Sequence, residues 1–425
     1  MTRITVSRRH LLTGATAVAA TSALAACTSP AGNTAATSGT KKLSLLLLGP
    51  TDAMASYFTK TALPAFTKAS GYAVEMQTSD WGSAFQKITT GAASNSLPDV
   101  FVIGGIWTAP LAAKNALLDI TDRLNGWDQK DQFFEGMVTD CEYDGKLYAV
   151  PAGADVRSGI YRKDLLDAAG VSALPTTWDE FRAAAQKIKD HGGVRSPIYW
   201  GLDKSIGVQQ AFAQLFLQAG GEYFNADGKA TFNSEAGKKA LTFMASTFAD
   251  GLSDINMVSS GNGPSFLAQG ASAMTFSGAA TIQNARDNAK DVVDKIVVGP
   301  ALKPDAAGNA TSVSWVNKLA IARTTKDADG AWKLLTHLTS KDQLNEIDNL
   351  WGTLPPRKDL ADASWLTGEL KTVMASADNT TSQPRSPKMM QLGPAVKDLL
   401  EPALRGSATV EDTLKAIDAK LDSLS

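Results

Sequence analysis

The side chains best suited to chemistry in this chain are flat aromatic faces set beside carboxylates and amides. Asp80-Trp81 follows an alternating segment, Val74-Glu75-Met76-Gln77, and starts a helical one. Trp107 follows the Gly104-Gly105 turn. Tyr199-Trp200 ends a short apolar run, and Gln209-Gln210 follows a loop. Such a set suits a polyhydroxylated ligand. Carboxylates and amides serve vicinal hydroxyls in pairs, and aromatic faces cover apolar C–H faces. Not every aromatic is available for this. Trp178 sits at a helix start and is expected to be structural, with Trp332 and Trp365 alike. Tyr161 is expected to pack, and Asp99 to brace a turn.

Catalysis finds little support. Asp80 and Asp155 are two carboxylates of the kind that hydrolyse glycosides. However, the chain has no HExxH, no GxSxG and no P-loop. His10, His191 and His337 are isolated, and no His/Cys/carboxylate cluster has ligand spacing, so neither metal nor cofactor is expected. Cys141 has no His near it in sequence and reads as a small buried hydrophobe.

The elements that must position these residues alternate. Lys42 to Leu48, closed by Gly49-Pro50, reads as a buried strand; Met54 to Ser70 has helical spacing and ends at Gly71. Trp81 to Ala93 reads as a helix, and Leu97 to Ile103 as a strand running into Gly104-Gly105. Trp178 to His191 is a helix capped by Thr177 with Glu180 three residues on. Another helix opens at Asn233-Ser234-Glu235. Ala271 to Gly278 and Ile296 to Pro300 read as strands, and Ala331–Leu338 and Val410–Leu424 as helices. This pattern predicts an α/β protein with a largely parallel sheet.

The front of the chain carries address signals. Arg8-Arg9 precede an apolar stretch from Leu11 to Ala26, about 16 residues against the ~20 of a membrane-spanning helix. A basic start, a modest apolar region and small residues at its end read as a twin-arginine signal peptide. Leu24-Ala25-Ala26-Cys27 is similar to a bacterial lipobox, which implies lipidation of Cys27; two or more acyl chains anchor stably. Residues 28–40 carry no charge and read as a flexible tether. Loss of residues 1–26 removes Arg3, Arg8 and Arg9 and moves the formal charge from −2 to −5. Nothing in that balance suggests nucleic acid. The length suggests two lobes rather than one core.

Chain-wide, the sequence resembles family 1 extracellular solute-binding proteins, the group that includes maltose-binding protein. The carrying segments begin with Leu97-Pro98-Asp99-Val100-Phe101, Tyr143-Asp144-Gly145-Lys146-Leu147-Tyr148-Ala149-Val150-Pro151 and Tyr161-Arg162-Lys163-Asp164-Leu165-Leu166. Pro175-Thr176-Thr177-Trp178-Asp179-Glu180-Phe181, Phe266-Leu267-Ala268-Gln269-Gly270 and Gly352-Thr353-Leu354-Pro355 follow in family order. The resemblance implies a two-lobed periplasmic-binding-protein-like fold of type II, with the ligand cleft between the lobes. It implies a first lobe of about residues 43–152 plus 301–350 and a second of 153–300 plus 354–425. Crossings are expected near Pro151–Ala154, Gly299–Leu302 and Gly352–Pro356, where Gly and Pro suit fixed turns or hinges.

The resemblance also implies a role. The protein would be a monomeric receptor, lipid-anchored outside the cell membrane, that closes on a carbohydrate and presents it to ABC-transporter permease subunits. Asp155 follows the first crossing, where relatives often place an acid on the sugar. Ser277-Gly278 ends a strand that faces the cleft in relatives. Trp315, in Trp315-Val316-Asn317, and Trp351 fall near later first-lobe segments, and Arg385 in a stretch that relatives aim at the cleft. The expected ligand set is therefore Asp80, Trp81, Trp107, Asp155, Trp200, Gln210, Ser277, Gly278, Trp315, Trp351 and Arg385. One departure stands out. Maltose-binding relatives commonly carry a Trp two residues after the glycine matching Gly278, and Gly278-Ala279-Ala280 has none; Trp315 or Trp200 would have to replace it. Peptide or polyamine ligands, and a purely protein-interacting lipoprotein, stay open beside the sugar.

Overall fold

The computed structural model describes residues 41–202, 207–260, 263–306, 308, 310–366, 368–375, 380–381 and 384–424. Arg8-Arg9, Cys27 and the tether up to residue 40 lie outside the described residues. The strands, in chain order, are β1 (Lys41–Leu48), β2 (Tyr72–Ser79), β3 (Val100–Ile103), the short pair β4 (Glu142–Tyr143) and β5 (Lys146–Leu147), and β6 (Ala149–Val156). There follow β7 (Ser158–Arg162), β8 (Ser196–Tyr199), β9 (Ser272–Ser277), β10 (Ile296–Val298), β11 (Ser312–Ile321) and β12 (Thr380–Thr381).

They build two main sheets with helices around them. The first has the order β12-β11-β3-β1-β2, with β6 added to β11; the second has the order β10-β7-β9-β8. The chain is thus a mixed α/β protein of the two-lobed kind. The expectation of largely parallel sheets holds for β2-β1-β3 and for β8-β9. It fails for β11 against β3 and β6, and for β7 against β9 and β10, which are antiparallel. The reason is connectivity: β6 and β7 are separated by one residue, and β11 returns from the second lobe into the first.

Local chemistry explains several boundaries. The helix Trp178–His191 begins in a full capping box, with Thr177 and Glu180 each satisfying the other's backbone N–H. Asp99 braces its turn as expected: Oδ2 accepts from Ser44 N and Oγ at 2.8 and 2.7 Å, and Oδ1 accepts from Thr325 Oγ1 at 2.7 Å. Tyr161 and Trp178 are buried in the second core.

The cores place the crossings differently from the sequence reading at two points. Gly299 N donates to Gly159 O, Lys303 N to Thr176 O, and Leu302 is buried in the second core. Residues 299–303 therefore stay with the second lobe, and the return passes along β11, whose Ala320 and Ile321 enter the first core. Leu354 does bridge to Ala154. Beyond it, however, Arg357 is buried between Gln129, Thr339 and Asp359, and Leu360 joins the first core. The chain leaves the first lobe after Leu360 rather than at Gly352–Pro356.

Where β6 meets the turn Gly352–Leu354 there is a buried acid. Asp348 is inaccessible to solvent; its Oδ1 accepts from Thr353 Oγ1 at 2.7 Å, and Oδ2 has no partner. Gly153, at φ +148°, leaves the space, since a Cβ there would lie 2.7 Å from Thr353 Oγ1 and 2.9 Å from Asp348 Oδ1. Burial raises the Asp348 pKa well above the ordinary carboxylate range, and the Thr353 hydrogen bond only partly opposes it. The folded state thus holds this proton more tightly than the unfolded chain, whose Asp titrates near ~3.9. That stabilisation is complete below the unfolded value and is lost as pH rises through the folded one. Asp348→Asn removes the linkage. Thermal melts should show the Tm of the variant gaining on the native protein between pH 4 and pH 8; a constant difference would contradict a protonated Asp348.

Candidate functional site

One cavity of about 1000 Å³ is bounded by both lobes. It opens outside the carboxyl ends of β1, β2 and β3, the position ligands favour in open α/β sheets. From those strand ends come Gly49-Pro50, Trp81 and the turn Gly104–Trp107.

The aromatic wall is a trio. Trp81 lies parallel to Trp351, with ring centroids 6.5 Å apart and planes at 8°, and edge-on to Trp107 at 5.9 Å. Trp351 Nε1 donates to Gly49 O at 3.1 Å, so its polar atom is spent on the backbone, and the mostly buried ring lines the cavity. Asp80 does not line the cavity. It caps the helix Trp81–Ala93: Oδ1 accepts from Ser83 N at 2.9 Å and Oδ2 from Ser83 Oγ. Those bonds hold its carboxyl below the usual range. Its part is to set the start of the helix that presents Trp81.

The floor is the antiparallel ribbon of β6 and β11. Asp155 pairs with Trp315, and Gly153 with Asn317. Residues two apart share a face, as do direct partners. Asp155, Trp315 and Asn317 therefore meet the cavity, while Ala154, Val156 and Val316 enter the third core on the other side. Arg157 continues the cavity face. Its Nη2 donates to Asp155 Oδ2 at 2.6 Å and to Gln210 Oε1 at 2.8 Å, and its guanidinium lies 5.4 Å from the Trp315 ring centroid. Its Nε is buried with no partner. Trp315 is thus a bed for Arg157, not an open platform.

Gly278 acts by its size. A Cβ there would fall 1.7 Å from Asp155 Oδ1. Ser277 lines the cavity, its Oγ accepting from Thr281 Oγ1 at 2.6 Å. Behind the wall, the buried Lys318 donates to Gly105 O at 2.6 Å and ties the Gly104–Trp107 turn to β11. Burial lowers the Lys318 pKa, with Asp140 and Cys141 opposing. Burial also pushes the Cys141 thiol up to about 12.

The structure brings Trp81, Trp107, Asp155, Gln210, Ser277, Trp315 and Trp351 to the cavity, with Gly278 directly behind Asp155. Trp200 and Arg385 do not belong there. Trp200 is buried in the second core, stacked on Phe276 at 5.5 Å, with Nε1 donating to Thr247 Oγ1 at 2.8 Å. Successive side chains alternate, so Tyr199 faces the cavity and Trp200 the core. Arg385 is exposed elsewhere, donating to Thr139 O at 3.3 Å and 3.7 Å from Glu142 Oε1. Sequence reasoning missed Arg157, although its spacing of two from Asp155, just past the end of β6, was the signal. Among the described residues no group of His, Cys, Asp and Glu could hold a metal ion, and no helix is long and apolar enough to cross a membrane.

Residues 50–344 match the model of the bacterial extracellular solute-binding protein family, and the chain belongs to that family. It is a solute-binding protein of the ABC-transport kind, and its family consists of transport-associated binding proteins. A putative binding protein of Brucella abortus is 24% identical over 83% of this chain and 86% of its own length. A probable amino-acid ABC transporter periplasmic-binding protein of Sinorhizobium fredii is 31% identical over 43% of this chain and 44% of its own. Among solved structures, a solute-binding protein of Thermotoga lettingae bound with α-D-tagatose superposes with TM-score 0.80 at 22% identity, covering 90% of this chain and 99% of that one. The maltose-bound MalE3 of T. maritima gives 0.79 at 22% identity, covering 90% and 100%.

Two substitutions separate site from core. Gly278→Ala drives a methyl into the Asp155 carboxylate and should weaken ligand binding by about tenfold or more, read by calorimetry. Trp200→Phe loses the bond to Thr247 and some core volume. It should cost about 1–3 kcal/mol in denaturant unfolding while ligand affinity stays within about twofold.

Proposed function

We propose that this protein is the lipid-anchored receptor of a carbohydrate ABC importer, holding its sugar between closing lobes and presenting it to the permease. One observation carries the sugar: the trio Trp81, Trp107 and Trp351 shares a single cavity with the hydrogen-bonded set Asp155, Arg157 and Gln210. Aromatic faces against C–H surfaces, opposite charged and amide groups for hydroxyls, are what a pyranose needs. The sugars bound in the similar structures support the same reading. The anchor rests on Leu24-Ala25-Ala26-Cys27 and the export on Arg8-Arg9. Residues 43–152 and about 318–360 would move as one lobe against the rest, with β6, β11 and the segment after Leu360 as the links.

Calorimetry of the chain from residue 41 onward, against panels of sugars, amino acids and polyamines, tests the ligand class. A sugar should bind and be recovered unchanged after prolonged incubation. Binding confined to an amino acid or polyamine would overturn the carbohydrate, and consumption of the sugar would overturn the receptor. Asp155→Ala removes a charged acceptor, worth about 1.5–3 kcal/mol, and should weaken the sugar by roughly tenfold to a hundredfold. Cys27→Ala should shift the protein from the membrane to the soluble fraction of its host.

A further inference from the structure

The cavity reaches well beyond the tryptophan trio. At about 1000 Å³ it lies at the upper end of the ~300–1,000 Å³ typical of small-molecule sites. Part of its wall is the helix Ala279–Asn288, which starts where the expected tryptophan is missing. The buried face of that helix is Ala279, Ile282 and Ala285. Beside Thr281, its cavity face carries Ala280, Gln283, Asn284, Asp287 and Asn288, an i, i+3, i+4, i+7, i+8 stripe. At 1.5 Å per residue the stripe is about 12 Å long, room to run alongside more than one sugar ring.

The stripe offers a hydroxylated ligand acceptors and donors together. One N–H of each side-chain amide is turned onto the protein. Asn284 Nδ2 donates to Gly263 O at 3.0 Å, Asn288 Nδ2 to Asn284 O at 3.1 Å, and Gln283 Nε2 to Asp287 Oδ1 at 2.9 Å. Asn284 Oδ1 is also used, by Ser265 N at 2.7 Å. What remains is three acceptors without a donor among the described residues, Gln283 Oε1, Asp287 Oδ2 and Asn288 Oδ1, together with the second N–H of each amide. Asp287 and Asn288 are exposed, at the mouth. Neighbouring acceptors and amide N–H groups suit hydroxyls, which both accept and donate, and the Asp287 carboxylate disfavours carboxylates and phosphates. The charges lining the cavity agree: Asp52, Asp155, Asp287 and Asp398 outnumber Arg157 and Lys397.

We infer that the stripe Gln283, Asp287 and Asn288 is a second sugar subsite, so that the ligand is an uncharged oligosaccharide of at least two rings. This rests on the carbohydrate reading above. One ring meets the tryptophans, and the next is held through its hydroxyls along the helix, where no aromatic stands. The missing tryptophan is replaced by hydrogen bonding rather than by another platform.

The test is calorimetry with α- and β-linked glucose oligomers of one to three units, and with a trigalacturonate. The best neutral oligomer should bind about tenfold or more tighter than glucose. In the double variant Gln283→Ala/Asp287→Ala the ratio of oligomer to glucose affinity should fall toward one, with Tm confirming the fold. Equal affinity for glucose and its oligomers, or a ratio unchanged in the variant, overturns the subsite. Trigalacturonate binding as tightly as neutral oligomers overturns the uncharged class. Failure of every carbohydrate, beside a bound amino acid or polyamine, overturns the receptor's sugar reading and this inference with it.

Discussion

The rest of the structure depends on the antiparallel pairing of β6 with β11. Each strand runs from one lobe toward the other, and their register, Ala149 with Ala320 through Val156 with Ser314, ties the halves along a single ribbon. The ribbon has two faces because side chains alternate. One face carries Asp155, Trp315 and Asn317 into the cavity, and the other carries Ala154, Val156 and Val316 into apolar packing. A slip of one residue would exchange those faces, putting valines where the ligand sits and a carboxylate into the core. The register is therefore fixed by the same hydrophobic burial that stabilises the joint.

Polar groups are concentrated around that ribbon at some cost. Among the described residues, Asp348 and Lys318 are buried without an ion-pair partner within bonding distance, each side chain with one hydrogen bond. Isolated buried charge is expensive, so burial drives the acid toward its protonated form and the lysine toward loss of its proton. Both sit where parts of the chain must meet at a fixed geometry: Lys318 on the Gly104–Trp107 turn, Asp348 on Gly153 and Thr353. Arg357 is the contrasting case. It is equally buried, but a bidentate pair with Asp359, two further acceptors and the Phe133 ring satisfy it.

Much of this was legible in the sequence where a local rule decides the outcome. The Thr177/Glu180 box fixes a helix start without help from the rest of the fold. Asp80 gave the start of the next element correctly, but its role was misread, because a capping carboxylate and a ligand carboxylate look alike in one dimension. Trp200 was lost by one residue of strand phase, which four residues of β8 cannot define. Arg385 was placed by resemblance alone, in a stretch outside residues 50–344, which the family model matches. Arg157 was overlooked because its value depends on Gln210, 53 positions away. The crossings at β11 and beyond Leu360 depend on which core claims Leu302 and Leu360, a choice among tertiary contacts that no short segment contains.

Cys141 has a practical consequence. Beyond residue 40 it is the chain's single cysteine, and it is inaccessible, with a thiol that stays protonated at ordinary pH. A soluble version starting there presents no reactive sulfur to an alkylating dye. A cysteine introduced at the cavity rim would then be the sole labelling position, and lobe movement could be reported optically from a uniquely tagged molecule without first removing a native thiol.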